Sequence, residues 1–432
     1  MAESWKTYSN MPIKALFGLV FLAGIFPVLS LADDADYELG GHVKTRLLAD
    51  AFPDDSVFNQ LTGDTAVDLE NAMRLNFSAV MGEWSFDTAY QLFAGYGDRI
   101  EYTRSLPADS DFFQNRLPND ARRLLNLTSV IEDDGKFAAL HRLDRLWVGY
   151  TNDKTVVRLG RQAITWGNGL IFSPMDIVNP FDPTAIDTEY KSGDDMLYGQ
   201  YLRDNGDDIQ AAFVFRRDIV SGDPDADEGT AAVKYHGIVG DSEYDLLVAR
   251  NYAETTLGIG GNRSIGGAVL RGDLVVADSS SGSKVQLVAN LSHSWMWGGK
   301  NVSGVVEYYF TEYGLEDGNY ELANLLQNTE LLKRLARGES FTLGRHYIAG
   351  GVSIELTPLW VLTPNMFTNL EDGSALLQIV SRNNLSQNVE FLGALNVPLG
   401  PSGSEFGGIG SEMAGLYFST DLSLFAQVAW YF

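Results

Sequence analysis

From about residue 36 to the last residue, polar and apolar side chains alternate in stretches of about ten residues. The pattern is plain in VRLGRQ (157–162), DIQAAFVFR (208–216), TAAVKYHG (230–237) and SKVQLVANLS (283–292). It recurs in NVSGVVEYYF (301–310), RHYIAGGVSIEL (345–356), NVEFLGALNV (388–397) and the closing LSLFAQVAWYF. A period of two predicts strands with one wet and one dry face. Short turn signals such as GEW (82–84), TNDK (151–154), WGGKN (297–301) and LTP (356–358) join several of these runs into hairpins. Longer interruptions fall near 50–66, 96–138, 164–193, 314–343 and 399–421.

Short links alternating with long loops predict an all-β fold, a transmembrane antiparallel barrel. A two-sheet sandwich would share the alternation, but rarely reaches this length as one unit, and no hinge-like composition shift divides the chain. After the N-terminal region no apolar run is long enough for a spanning helix. About 17 strand runs can be counted, an odd number that a single-chain bacterial barrel avoids. Counting forward from the N-terminus and backward from the C-terminus puts the discrepancy between residues 194 and 313. The reading adopted is 16 strands, with 18 as the alternative.

Assigning the more apolar phase of each run to lipid fixes the other face. The expected pore-lining set is Lys44, Arg46, Arg74, Asp87, Arg145, Arg158, Arg216, Lys234, Arg271, Asp273, Glu307, Arg345, Glu355 and Glu390, with Glu38 and Glu70 on the same faces. Charge on the lipid side costs about 2–4 kcal/mol near the bilayer midplane, whereas in a wet lumen it is solvated or paired. Such a wall either sets up a transverse field for dipolar solutes or pairs off to stiffen the barrel. In the final strand Leu422, Leu424, Ala426, Val428, Trp430 and Phe432 share the lipid face.

Residues 12–32, PIKALFGLVFLAGIFPVLSLA, place a Lys before an apolar run and small residues before Asp33. That is the layout of a signal peptide over 1–32, leaving 33–432 as the barrel. The chain carries a formal charge of −26, which argues against a nucleic-acid partner. With no Cys, disulfides, zinc–thiolate sites and cysteine nucleophiles drop out.

Two loops have structure of their own. In ELANLLQNTELLKRLARG (321–338) the leucines follow helical spacing, Lys333, Arg334 and Arg337 lie late, and Gly338 stops the helix. This short loop helix either caps the mouth or folds inward. The segment 160–200 crowds Trp, Gly, Asn and Pro too densely for a slack loop and predicts an ordered segment against or inside the lumen.

That same segment, with GRQ, WG, NPF, PTAID, EYK and GDDM in order, resembles an uncharacterised family of porin-like outer-membrane proteins of Gram-negative bacteria. NLEDGSALLQ (369–378) and GSEFG (403–407) extend the likeness over most of the chain. The resemblance implies an outer-membrane location, with lipid, lipopolysaccharide and the barrel-assembly machinery as partners. It also implies that Trp430 and Phe432 form the C-terminal assembly signal. The family has no settled activity. The expected function is passive diffusion of small hydrophilic solutes, without cofactor or metal. The alternatives are a dedicated route for an anionic polymer or a hydrophobic compound, and a structural sheath or surface protein. The residues do not indicate an enzyme: His42, His141, His236, His293 and His346 form no HxxxH or HExxH pair. Gly-rich GIGGNRSIGG (258–267) opens no helix, so a dinucleotide site is excluded and a turn or bulge is expected there. Oligomeric state is not legible in the pattern.

Overall fold

The computed structural model describes residues 36–106 and 117–432; the signal-peptide expectation over 1–32 lies outside the described residues. The chain forms β1 (Asp36–Ala51), α1 (Val57–Thr62), β2 (Thr65–Met81), β3 (Trp84–Gly97), α2 (Asp98–Ser105), β4 (Thr128–Asp134), β5 (Phe137–Thr151) and β6 (Thr155–Gln162). There follow β7 (Asp194–Leu202), β8 (Asp208–Val214), β9 (Thr230–Val239), β10 (Ser242–Asn251), β11 (Glu254–Ile265), β12 (Ala268–Ser279), β13 (Gly282–Trp297) and β14 (Lys300–Thr311). The last third holds α3 (Leu322–Gln327), α4 (Thr329–Arg337), β15 (His346–Thr357), β16 (Trp360–Asn369), β17 (Ala375–Ser386), β18 (Val389–Leu399), β19 (Ile409–Gly410), β20 (Tyr417–Phe418) and β21 (Leu422–Tyr431).

Each wall strand pairs antiparallel with its neighbours, and β21 pairs with both β18 and β1. Reciprocal bonds between Gly41 and Phe432 finish the seam. The sheet is therefore a closed cylinder, and closure is what leaves a wide sheet without an edge. Eighteen strands make up the wall. β4 is a partial strand, paired with the upper half of β5 where β6 does not reach.

The expectation of 16 strands is corrected to 18. The missing strand is β11, inside the interval where the two counts disagreed. GIGGNRSIGG lies mostly within it, so the expected turn or bulge is a strand running on into a hairpin. Its glycines serve close approach instead: a Cβ on Gly258 would stand 3.1 Å from Met175 Cε, and one on Gly260 would collide with Asp273 Oδ1. The β10–β11 turn is Tyr252–Ala253, both at positive φ (49° and 66°). Such a two-residue turn usually carries Gly or Asn. Here the Tyr252 ring is buried under Arg337 (3.9 Å) and Arg216 (4.5 Å), which hold it there.

Both ends of the described barrel lie at the rim of short hairpins. The long connections 52–64, 98–136, 163–193, 312–345 and 400–421 all leave from the opposite rim. Around the wall Leu69, Val148, Leu159, Val233, Leu257, Val306, Ile348 and Leu424 point outward and are exposed, while Arg74, Lys234, Asp273, Glu307 and Gln427 point inward and are buried. An oily exterior around a charged interior is stable only where the surroundings are hydrocarbon.

The expected single loop helix is two. Asn328 breaks it and caps the second half, its Oδ1 accepting from Leu331 N (3.1 Å), and Gly338 ends that half in a left-handed conformation. The pair lies across the mouth over the β9–β14 side. Glu330 binds the serines of the β12–β13 turn, Arg334 binds Glu254, and Arg337 stacks on Tyr252.

A candidate solute passage beside an inserted loop

The segment 163–193 does not stay at the rim. It folds into the barrel and crosses from one wall to the other. On the β7–β16 side its apolar residues build cores with the wall: Trp166, Met175, Ile177 and Val178 pack on Met196, Ala212, Ala232, Leu247 and Val275. Phe172 stacks on Tyr309 at 4.6 Å. Acids on three strands grip its backbone and amides. Glu307 accepts from the amides of Leu170 (2.8 Å), Ile171 (3.1 Å) and Phe172 (2.6 Å). Asp273 accepts from Asn168 N (2.7 Å) and Nδ2 (2.8 Å), and Asp245 from the same Nδ2 (3.0 Å). With Asn290 Nδ2 as a fourth donor (3.0 Å), the three amides fill the acceptor positions of the carboxylate, which is why Glu307 can be completely buried without a cation.

The far end of the crossbar reaches the opposite wall. Lys44 on β1 holds Asp187 (2.6 Å) and Glu189 (2.7 Å), and Arg46 adds a bond to Asp187 (2.9 Å). Tyr431 on the closing strand donates to Glu189 (3.0 Å). Tyr190 is stacked on His42 and covered by the Arg74 guanidinium, 4.2 Å from the ring centre. Burial would raise the Asp187 carboxyl, but Lys44 and Arg46 overcome it and hold the group down at about 2.

Between this latch and the β1–β2–β3–β5 wall remains a cavity of about 830 Å³. Lys44, Arg46, Asp68, Glu70, Gln91 and Arg142 line its strand side, α2 supplies Arg99, Ile100, Thr103 and Arg104, and Asp187 and Tyr190 come from the crossbar. Two ring and guanidinium nitrogens at its edge, His42 Nδ1 and Arg99 Nε, have no hydrogen-bond partner among the described residues.

The expected pore-lining residues fall into four groups. Lys44, Arg46 and Arg74 lie at the latch. Arg145 and Asp87 sit below it: Arg145 bonds Asp144 (2.8 Å) and the Lys191 carbonyl, and Asp87 lies within electrostatic reach of Arg145, Arg74 and Arg158. Arg158 covers the Trp147 ring (4.9 Å). Asp273 and Glu307 face inward but hold the crossbar; Lys234 pairs with Asp245 (3.1 Å) and Arg271 with Ser292 (2.8 Å) on the same half. Arg216 is buried at the upper end of that wall against Asp194 (2.9 Å). The remaining three stand at the rims. Arg345 precedes β15 and binds Glu316 (2.9 Å); Glu355 accepts from Asn301 (2.6 Å), and Glu390 lies 3.9 Å from Arg382.

Sequence alternation missed the most crowded part of the site. A bulge opposite Ala89–Tyr90 inserts one extra residue in β5, so that Asp144 and Arg145 both turn inward although adjacent. Arg142, Arg145 and Arg74 then converge on the single carboxylate of Asp144, at 3.4, 2.8 and 2.7 Å. Asp187, Glu189 and Tyr190 lie on a loop, where period-two counting carries no information about direction.

An 18-stranded cylinder with a lipid-type exterior, a charged interior and a loop folded into the lumen defines the class: a transmembrane barrel of the outer-membrane type. No family model matches the chain, and no curated protein matches it in sequence. Among solved structures it is similar to OccAB4 of Acinetobacter baumannii, with a TM-score of 0.54 and 8% identity over 92% of this chain and 98% of that one. The Pseudomonas aeruginosa outer membrane protein OpdK gives a TM-score of 0.49 and 9% identity, covering 92% and 98% of the two chains. At 8% identity the likeness to OccAB4 is one of fold.

Proposed function

We propose that this protein is a porin-like channel of the bacterial outer membrane, passing small hydrophilic solutes down their gradient along the β1–β2–β3–β5 wall. The observation that carries the reading is the space of about 830 Å³ left open beside the crossbar and lined by charged groups. Apolar cores close the β7–β16 half of the lumen, so solute traffic is confined to the other half. Trp430 and Phe432 act as the assembly signal in this reading, and the segment before residue 33 directs export.

One feature favours anions among the solutes. The acids of the β10–β14 wall are spent on the crossbar, whereas Arg74, Arg142 and Arg145 share one carboxylate beside the passage. Buried like charges that outnumber their counter-ions leave a local positive field. Planar-bilayer recordings test both parts. Stepwise conductance with a modest anion preference in a salt gradient is expected, and the preference should disappear in Arg142→Gln/Arg145→Gln. A barrel shown to be inserted yet electrically silent would overturn the channel reading.

A further inference from the structure

Glu405 is a carboxylate with no cation beside it among the described residues, placed where three outer segments meet. It belongs to the loop 400–421. Its oxygens accept from Leu343 N (3.0 Å) in the loop 312–345, from Tyr347 Oη (2.5 Å) at the top of β15, and from Asn369 Nδ2 (2.6 Å) at the top of β16. Although the residue as a whole is only half-buried, these partners are deep: Tyr347 is 1% exposed, Asn369 and the neighbouring Tyr320 0%. An apolar cluster of Tyr320, Leu325, Leu331, Leu343 and Ile409 seals the same junction, and it too joins the two loops.

Among the described residues, the ionisable groups facing Glu405 are phenols or acids. Tyr347 and Tyr320 surround its head; Asp372, on the β16–β17 connection, accepts from Glu405 N (2.7 Å), and Glu371 beside it is occupied by the amides of Arg345 and His346. The Arg345 guanidinium is turned to Gly314 O and Glu316, and the His346 ring to Tyr308. None of these supplies a positive charge to the Glu405 oxygens.

We propose that the Glu405 junction is a proton-controlled clamp that locks the outer cap of the barrel shut in acid and loosens it toward neutral pH. The clamp is a property of the loops and does not depend on what crosses the lumen. With the loops docked, burial pushes the Glu405 carboxyl up to about 7, more than the bonds from Tyr347, Leu343 and Asn369 offset; in a detached loop it returns to the ordinary carboxylate range. A raised docked value means that docking is strongest below the detached value and weakens as pH rises, levelling off near 7.

Amide hydrogen exchange of the refolded barrel, corrected for the intrinsic effect of pH, reads this directly. Protection at Leu343 and Gly407–Ile409 should fall by roughly two orders of magnitude between pH 4.5 and 7.5. The same amides in Glu405→Gln should lose that pH dependence while wall amides stay protected. Should the Gln variant not fold, Tyr347→Phe serves: losing a donor to the charged form should deepen the fall. Equal protection at both pH values, or an undiminished fall in Glu405→Gln, would overturn the clamp. Because this readout does not measure current, a failed clamp and a failed channel are told apart.

Discussion

At the scale of single residues, the crossbar depends on a few buried charges with different jobs. Glu307 serves three amides at once, and Glu307→Ala would leave all three unpaired in a closed site. A charge-assisted bond contributes about 1.5–3 kcal/mol, so this variant should free the loop locally. The check is limited proteolysis: new cleavage within 168–178 while the barrel itself resists. Lys44 is the counterpart at the other wall. Removing one partner of a buried ion pair costs at most about 3–5 kcal/mol, and here Asp187 keeps Arg46 and Glu189 keeps Tyr431. Lys44→Met should therefore loosen the Asp187–Tyr190 latch and raise single-channel conductance. Unchanged conductance in Lys44→Met would place the passage elsewhere. The lumenal phase of Lys44, Arg74 and Glu307 was legible from alternation alone. Their work was not, because it is defined by loop atoms whose direction no periodicity encodes.

At the scale of elements, the strands that sequence reading recovers are those in which both faces carry side chains. β11 escaped because the middle of its inner face is glycine, Gly258 and Gly260, cleared for Met175 and for Asp273 with its Asn168 partner, and because its entry turn is Tyr–Ala rather than a Gly or Asn pair. A strand emptied to admit a loop looks like a loop. The expected result of Gly260→Ala follows from the same geometry. The new methyl would strike Asp273, break its hold on Asn168 and detach the crossbar, at about 1–3 kcal/mol for an overpacked site. Its thermal midpoint should fall, and proteolysis of 163–193 should rise as for Glu307→Ala. The bulge in β5 is a second case. One inserted residue reverses the alternation midway along the strand, which is how Arg142, Asp144 and Arg145 reach one face.

At the scale of the whole molecule, the closed cylinder and its divided lumen have one cause. A wall of 18 strands encloses more space than its side chains can fill. The inserted loop fills one half with an apolar core and leaves the other wet. The charge balance follows from that division: acids on the filled side are consumed by the crossbar, and on the open side Arg74, Arg142 and Arg145 converge on Asp144. The chain has no cysteine, so the division can be mapped with single introduced thiols. Ala72 lines the open cavity, whereas Ala232 is buried beneath the crossbar core. A charged thiol reagent added during bilayer recording should block current through Ala72→Cys and leave Ala232→Cys untouched. Block at Ala232→Cys with none at Ala72→Cys would contradict the account.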